Sequence, residues 1–267
     1  MEAMVVLHGL RKIFNRNTID EKVAIDGIEL EVGGREFITV IGSNGAGKTT
    51  LLNLIAGTHL PDEGKIYIDG TEVTYMAEYG RAKYLGRIFQ NPLMGTASSM
   101  TIEENLSMAE LRGKRRGLAW GVTKRQRRRY KELLKVLELG LEDRLSDPVS
   151  LLSGGQRQCL TLLMATLSLP KLLLLDEHTA SLDPKTAEKV IHLTEKIVKE
   201  NQLTTIMVTH NMTQAIHFGD RMIMLHEGRI QFDIRGEEKK RLSVEELVKR
   251  FGETLEDETL LCKPVEG

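Results

Sequence analysis

The run Gly42-Ser43-Asn44-Gly45-Ala46-Gly47-Lys48-Thr49 lies between an apolar segment, Phe37 to Ile41, and an amphipathic one that places Leu51, Leu52, Leu54 and Ile55 on one face. Glycines in such a run let the backbone wrap so that successive N–H groups face one point, and the start of a helix adds its positive dipole end. A strand, this loop and a helix in register form a phosphate cradle. Lys48 would hold the β- and γ-phosphates, Thr49 would ligate Mg²⁺, and Thr50 continues the lining. A second apolar segment, Leu172 to Leu175, ends in Asp176-Glu177. That places Asp176 near the water shell of Mg²⁺ and Glu177 where it can polarise an attacking water. Paired carboxylates at a strand end are ordinary surface groups when they stand alone; beside a phosphate loop they point to nucleotide hydrolysis.

Leu152-Ser153-Gly154-Gly155-Gln156 resembles the signature motif of ABC ATPases. Ser153, the N–H groups of Gly154 and Gly155 and a helix start can form a second anion site, and they can equally form a plain helix N-cap. The resemblance implies that the signature of one subunit covers the γ-phosphate held by its partner's loop, so that neither subunit has a complete site alone. It extends over about Val5 to Phe232. Gln90, in Ile88-Phe89-Gln90-Asn91-Pro92, resembles the Q-loop glutamine that senses Mg²⁺ and the γ-phosphate. Ala180-Ser181-Leu182-Asp183 resembles the D-loop, with Asp183 crossing the dimer interface, and His210 resembles the switch histidine on the γ-phosphate. The implied cofactors are ATP and Mg²⁺. Glu177, His210 and Gln90 would be catalytic, and Thr49, Gln90 and Asp176 would attend the metal. Phe14 occupies the place of an adenine-stacking aromatic; a buried core phenylalanine is the other reading.

One position departs from the family, which usually has proline after the Asp-Glu pair where this chain has His178. The imidazole is read as a variation without catalytic role. Asp176-Glu177-His178-Thr179-Ala180 is similar to the wording of a subgroup of bacterial importer ATPases that work with periplasmic-type binding proteins.

The elements that must position these residues follow from periodicity. Continuous apolar runs at Phe37 to Ile41, Leu172 to Leu175, Thr204 to Val208 and Met222 to Leu225 suit parallel strands buried on both faces. Helical patterns alternate with them, among them Ala187 to Val198. Ile66 to Val73 reads as a hairpin turning at Asp69-Gly70, because Asp-Gly favours positive φ. From about Asn91 to Leu169 strand signals vanish, and helices are expected at Thr101 to Leu111 and Lys124 to Leu137. Near the end, Ser243, Glu246 and the pair Leu242 and Leu247 signal a capped helix that Gly252 would close. The expected fold is α/β: a P-loop NTPase core with a mainly parallel sheet (about 1–90 and 170–232), a small antiparallel β subdomain, an inserted helical subdomain (about 91–169) and a C-terminal extension (233–267) with a helix.

Composition narrows the function further. The 267 residues carry a net charge of -1, which argues against a whole-protein polyanion binder, so no nucleic-acid partner is expected. No stretch approaches the ~20 apolar residues of a membrane span, and the Met-Glu-Ala-Met start has no basic region followed by an apolar run. A cytoplasmic chain, peripheral on the inner face of the membrane, is expected, with Cys159 and Cys262 reduced. The basic run Arg112 to Lys131, with Trp120 in its middle, reads either as a solvated face or as an approach to anionic headgroups. The family frequency of free-standing subunits points to import. The expected partners are a second copy of the chain, an integral membrane permease and an extracytoplasmic substrate-binding protein. A soluble ABC ATPase, such as an iron-sulfur assembly ATPase, is the alternative; a GTPase switch is disfavoured because no Asn-Lys-x-Asp run occurs.

Overall fold

The computed structural model describes residues 3–114 and 121–251. In chain order the strands and helices are β1 (Ala3–Phe14), β2 (Lys22–Gly33), β3 (Phe37–Ile41), α1 (Lys48–Ala56), β4 (Glu63–Ile68), β5 (Thr71–Glu72), α2 (Glu78–Arg81) and β6 (Leu85–Ile88). There follow α3 (Ile102–Glu110), α4 (Lys124–Lys135), α5 (Gly154–Thr166), β7 (Leu172–Asp176), α6 (Pro184–Asn201), β8 (Thr204–Val208) and α7 (Met212–His217). The chain then forms β9 (Arg221–His226), β10 (Arg229–Arg235), α8 (Gly236–Arg241) and α9 (Val244–Phe251). These elements gather into two compact units, one within Met1–Arg81 and Thr204–Gly267, the other within Ala82–Leu203.

In the first unit, β3 is buried along its whole length and pairs in parallel with β8 on one side and β9 on the other. The continuous apolar runs are satisfied this way, with β10 added antiparallel to β9. A separate antiparallel sheet has the order β2-β1-β4-β5. Its hairpin turns where expected: Ile68 faces Thr71, and Asp69 (φ +51°) and Gly70 (φ +69°) take the left-handed conformation of a tight two-residue turn. Helix α1 buries Leu51, Leu52, Leu54 and Ile55 completely. Its C-terminal end is held by Arg81, itself fully buried, which donates to the carbonyls of Leu54, Ile55, Thr74 and Met76 at 2.7 to 2.9 Å. At the far end of the chain, Ser243 accepts from the N–H of Glu246 at 3.0 Å, and Leu242 and Leu247 are buried together with Ile41, Met222 and Met224. Gly252 lies outside the described residues, as do Cys262 and Trp120.

The second unit pairs β6 with β7 in parallel and packs α3, α4 and α5 around Ile102, Leu106, Tyr130, Leu134, Leu160 and Leu163, with Val190 of α6 in the same core. Helices α3 and α4 occupy the stretches expected from their patterns, each opened by a threonine capping box, Thr101 with Glu104 and Thr123 with Gln126. Strands β1, β2, β6 and β10 lie outside the expectations from sequence, although Ile28-Glu29-Leu30-Glu31-Val32 of β2 and Ile230, Phe232 and Ile234 of β10 alternate as half-buried strands do. The pairing of β1 with β2 shifts register repeatedly between Ala3 and Ile13, which breaks the alternation along β1. Strand β6 is short, with Gly86 and Arg87 in its middle.

Candidate functional site

The first unit builds the phosphate loop where β3 hands over to α1. Gly42, Gly45 and Gly47 all have positive φ, at +149°, +80° and +104°. A Cβ on Gly42 would collide with the carbonyl oxygen of Leu225, and one on Gly47 with that of Ala24, so glycine is required by close approach as well as by conformation. Ser43, Asn44, Gly45 and Ala46 form the turn between them, where the N–H of Ala46 donates to the carbonyl of Ser43 at 3.2 Å. Helix α1 opens with no side-chain cap and no acidic residue in its first turn. That leaves the dipole end suited to an anion. Lys48 is 6% exposed, and its ammonium donates to the carbonyls of Gly42 at 2.7 Å and Ser43 at 2.9 Å, which holds it across the mouth of the loop. Thr49 is exposed and Thr50 half-buried on the first turn.

His210 belongs to the same sheet edge. Val40 is in register with Val208, so the residues two positions on, Gly42 and His210, leave their strands side by side. The N–H of Thr209 donates to the carbonyl of Val40 at 3.1 Å and extends the pairing to that point. Phe14, at the end of β1, is half-buried. Its ring meets His59 edge-on at 5.4 Å between centroids, and the Lys12 ammonium stands 5.6 Å from it. His59 was not legible as a neighbour of Phe14 in the sequence, whereas Lys12, two residues earlier on the same strand, lies on its face.

The second unit gathers the carboxylates and the remaining motifs. Ile88 is in register with Leu175, so Phe89 and Gln90 leave β6 beside the end of β7 that carries Asp176 and Glu177. Asp176 is buried and Glu177 half-buried. Glu177 has φ +43°, a conformation that costs a non-glycine residue free energy and occurs where surroundings over-determine it. The turn that holds it continues through the N–H of Ala180, which donates to the Glu177 carbonyl at 2.9 Å. Ser181 donates its hydroxyl to the carbonyl of Gln90 at 3.2 Å, so the segments around Gln90 and Asp183 are joined. Asp183 is exposed and caps α6 by accepting from the N–H of Thr186 at 3.1 Å. The side-chain hydrogen bond from Thr186 holds its carboxyl below the usual carboxylate range.

Ser153 forms a capping box with Gln156: its hydroxyl accepts from the Gln156 N–H at 3.3 Å, and the Gln156 side chain accepts from the Ser153 N–H at 3.1 Å. The N-cap geometry is therefore present, with Ser153 and Gly154 exposed at the start of a 13-residue helix. Gly155 faces Thr186 so closely that a Cβ would collide with its methyl group. The helix start thus packs directly against the start of α6.

His178 points into the unit. It is 1% exposed, with Nε2 at 3.1 Å from the Thr194 hydroxyl, and that hydroxyl donates to the Val190 carbonyl at 2.8 Å. The imidazole therefore donates from Nε2, and burial pushes its pKa down to about 4. It is neutral at ordinary pH and anchored on α6. The basic run is divided: Arg127 pairs with Glu103 at 2.5 Å, Arg129 with Glu110, and Lys131 with Asp143 at 3.3 Å, while Lys124, Arg125 and Arg128 are exposed.

A phosphate loop with its lysine in one unit, and a buried Asp-Glu strand end with a glycine-started helix in the other, match one known family. The ABC transporter family matches residues 25–180. The chain belongs to it. An ATP-binding subunit of this family hydrolyses ATP coupled to transport, and this chain is such a subunit. It is 48% identical over 235 residues to a tyrosine transport ATP-binding protein of Clostridioides difficile, a match covering 88% of this chain and 91% of that one. It is 34% identical to a methionine import ATP-binding protein of Corynebacterium efficiens, covering 85% of this chain and 61% of that one. Among solved structures it is similar to the dimeric ATP-binding cassette MJ0796 in a post-hydrolysis state bound to ADP and Pi, at a TM-score of 0.74 and 31% identity, covering 87% and 98% of the two chains. The fold expected from the sequence, a P-loop NTPase with a mostly parallel sheet, a small antiparallel sheet and helices, is the fold of these cassettes.

Proposed function

We propose that this ABC subunit powers uptake of a small organic solute, of the amino-acid class, through a separate membrane permease, working as a pair of identical chains that close on ATP. The observation that carries the reading is the pair of anion-suited helix starts. One follows the glycine loop at Gly42 to Lys48; the other, Ser153 to Gly155, stands exposed at the head of α5. Facing each other across two copies, they would enclose the same triphosphate, as the dimeric MJ0796 cassette with ADP and Pi supports. The solute class rests on the tyrosine and methionine relatives. Contacts to the solute itself would belong to the permease and to an extracytoplasmic binding protein. No helix among the described residues is long and apolar enough to cross a membrane.

In this reading Ser43, Asn44, Gly45, Ala46, Gly47, Lys48, Thr49 and Thr50 hold the phosphates, Phe14 stacks on the base, and Ser153, Gly154, Gly155 and Gln156 with Asp183 approach from the second chain. Among the described residues no cluster of His, Cys, Asp and Glu could hold a metal ion by itself. A divalent cation bound with the nucleotide would be held chiefly by the phosphates, with few side chains attending it. Thr49, Asp176 and Gln90 would be those side chains. Mg²⁺, when bound, neutralises charge developing on the phosphates. Glu177 takes the proton of the attacking water, His210 contacts the γ-phosphate, and closure of the second chain excludes bulk water.

Glu177→Gln is expected to bind ATP and accumulate as a dimer, with turnover reduced at least about 100-fold. Size-exclusion chromatography with MgATP beside a phosphate-release assay checks both. Hydrolysis at the wild-type rate would remove Glu177 from its role.

A further inference from the structure

Arg87, in the middle of β6, does not belong to any motif considered above. Its Nη2 lies 3.6 Å from Oδ2 of Asp176, and both side chains are 8% exposed. Its guanidinium carbon sits 4.6 Å from the centroid of the Phe89 ring, whose negative face retains a cation. Phe89 immediately precedes Gln90, and its carbonyl accepts from the Gln158 side chain of α5 at 3.3 Å. The arginine is thus clamped between the carboxylate at the end of β7 and the ring that leads into the Gln90 segment.

An arginine stays a cation at neutral pH. In a site this dry, a fixed positive charge beside a carboxylate and a divalent cation approaching the same carboxylate oppose each other, because screening by water is weak. We propose that Arg87 is a positioning residue: it holds Asp176 in place as its counter-ion before nucleotide binds, and it sets how readily a divalent cation then engages that carboxylate. The inference rests on Asp176 attending the metal, and the test separates failure of that reading from failure of this one. Replacing Arg87 by a neutral side chain removes both the partner that the cation must draw Asp176 away from and a like charge beside the incoming ion. Both effects shift divalent-cation binding in one direction, towards lower concentration. The same replacement deprives a buried carboxylate of this partner and lowers the stability of the nucleotide-free chain.

The test is binding of ADP, measured calorimetrically over a series of Mg²⁺ concentrations, with thermal melting of each protein alone. Wild type, Asp176→Asn, Arg87→Met, Arg87→Gln and Arg87→Lys are compared. Asp176→Asn is expected to lose the enhancement of ADP binding by Mg²⁺; if it keeps the full enhancement, the metal reading of Asp176 is wrong. Given that loss, the neutral Arg87 variants are expected to reach half-maximal enhancement at about fivefold lower Mg²⁺ than wild type while melting earlier without nucleotide. Arg87→Lys, which keeps the charge, is expected to restore the wild-type midpoint. An unchanged or raised Mg²⁺ midpoint in the neutral variants, with Asp176→Asn behaving as expected, overturns the proposal and leaves Arg87 as packing alone. Arg87→Gln retains hydrogen-bonding capacity and carries the test if Arg87→Met does not fold.

Discussion

At the residue scale, the catalytic region is built from side chains whose neighbours limit what they can do. Lys48 is held by the carbonyls of its own loop, and Glu177 is held at φ +43°, so the backbone around each fixes where it stands. His178, next to Glu177 in the chain, is a titratable group held inside the fold against Thr194. Its pKa of about 4 in the fold lies below the ordinary histidine value of 6.5. Between those values the unfolded chain binds a proton that the folded chain refuses. The stabilisation is complete above about pH 6.5 and is lost as pH falls towards 4, by roughly 3 kcal/mol at most. His178→Asn can keep a donor towards Thr194 without titrating. It is expected to show a flatter loss of stability over this window in urea unfolding, with ATPase activity at neutral pH near that of wild type. A large loss of neutral-pH activity would give His178 a role in the reaction.

At the scale of elements, buried arginine and paired basic residues fasten helices at their ends. Arg81 lies at the C-terminal end of α1, where helix carbonyls lack intrahelical partners and a positive charge is favoured. Burial lowers its pKa to about 10, which leaves it charged at neutral pH. Arg81→Met is expected to destabilise the protein by about 3 kcal/mol, since several buried carbonyls lose their donor at once, and thermal or urea unfolding reads this directly. In α4 the pairs Arg127 with Glu103 and Arg129 with Glu110 tie that helix to α3. Reversing Arg127 and Arg129 to glutamate should therefore lower the melting temperature by about 5 °C or more, whereas reversing Lys124, Arg125 and Arg128 should leave it within about 2 °C. The second variant is the one suited to co-sedimentation with anionic liposomes, where binding equal to wild type would exclude a headgroup role.

At the scale of the whole molecule, the proposed function needs two chains, because the phosphate loop and the signature helix each offer one anion-suited terminus. Turnover per chain should then rise with protein concentration and approach a plateau when dimers dominate. Phosphate release measured from nanomolar to micromolar chain reads this, and turnover independent of concentration would mean that a single chain suffices. In the proposed function the exposed start of α5 would meet the second copy, and closure of the two copies would be a movement that a permease could receive.

The glycine loop, the Asp176-Glu177 strand end, the Ser153 to Gln156 helix start and the Asp69-Gly70 turn were legible because each is a stretch of consecutive residues. Their backbone angles and N–H directions depend on local side chains, glycine most of all, so residue order alone specifies the chemistry. The buried strands β3, β7, β8 and β9 were legible for a related reason, since continuous apolar runs leave few alternatives. Tertiary structure alone decided which chemistry-bearing side chains meet. Arg87 reaches Asp176 only because β6 lies beside β7, His178 reaches Thr194 only because α6 folds back over it, and Phe14 meets His59 across a loop. Such contacts arise from strand pairing and helix packing between distant segments. No periodicity within either segment records them, and they set the charge around Asp176 and the protonation of His178.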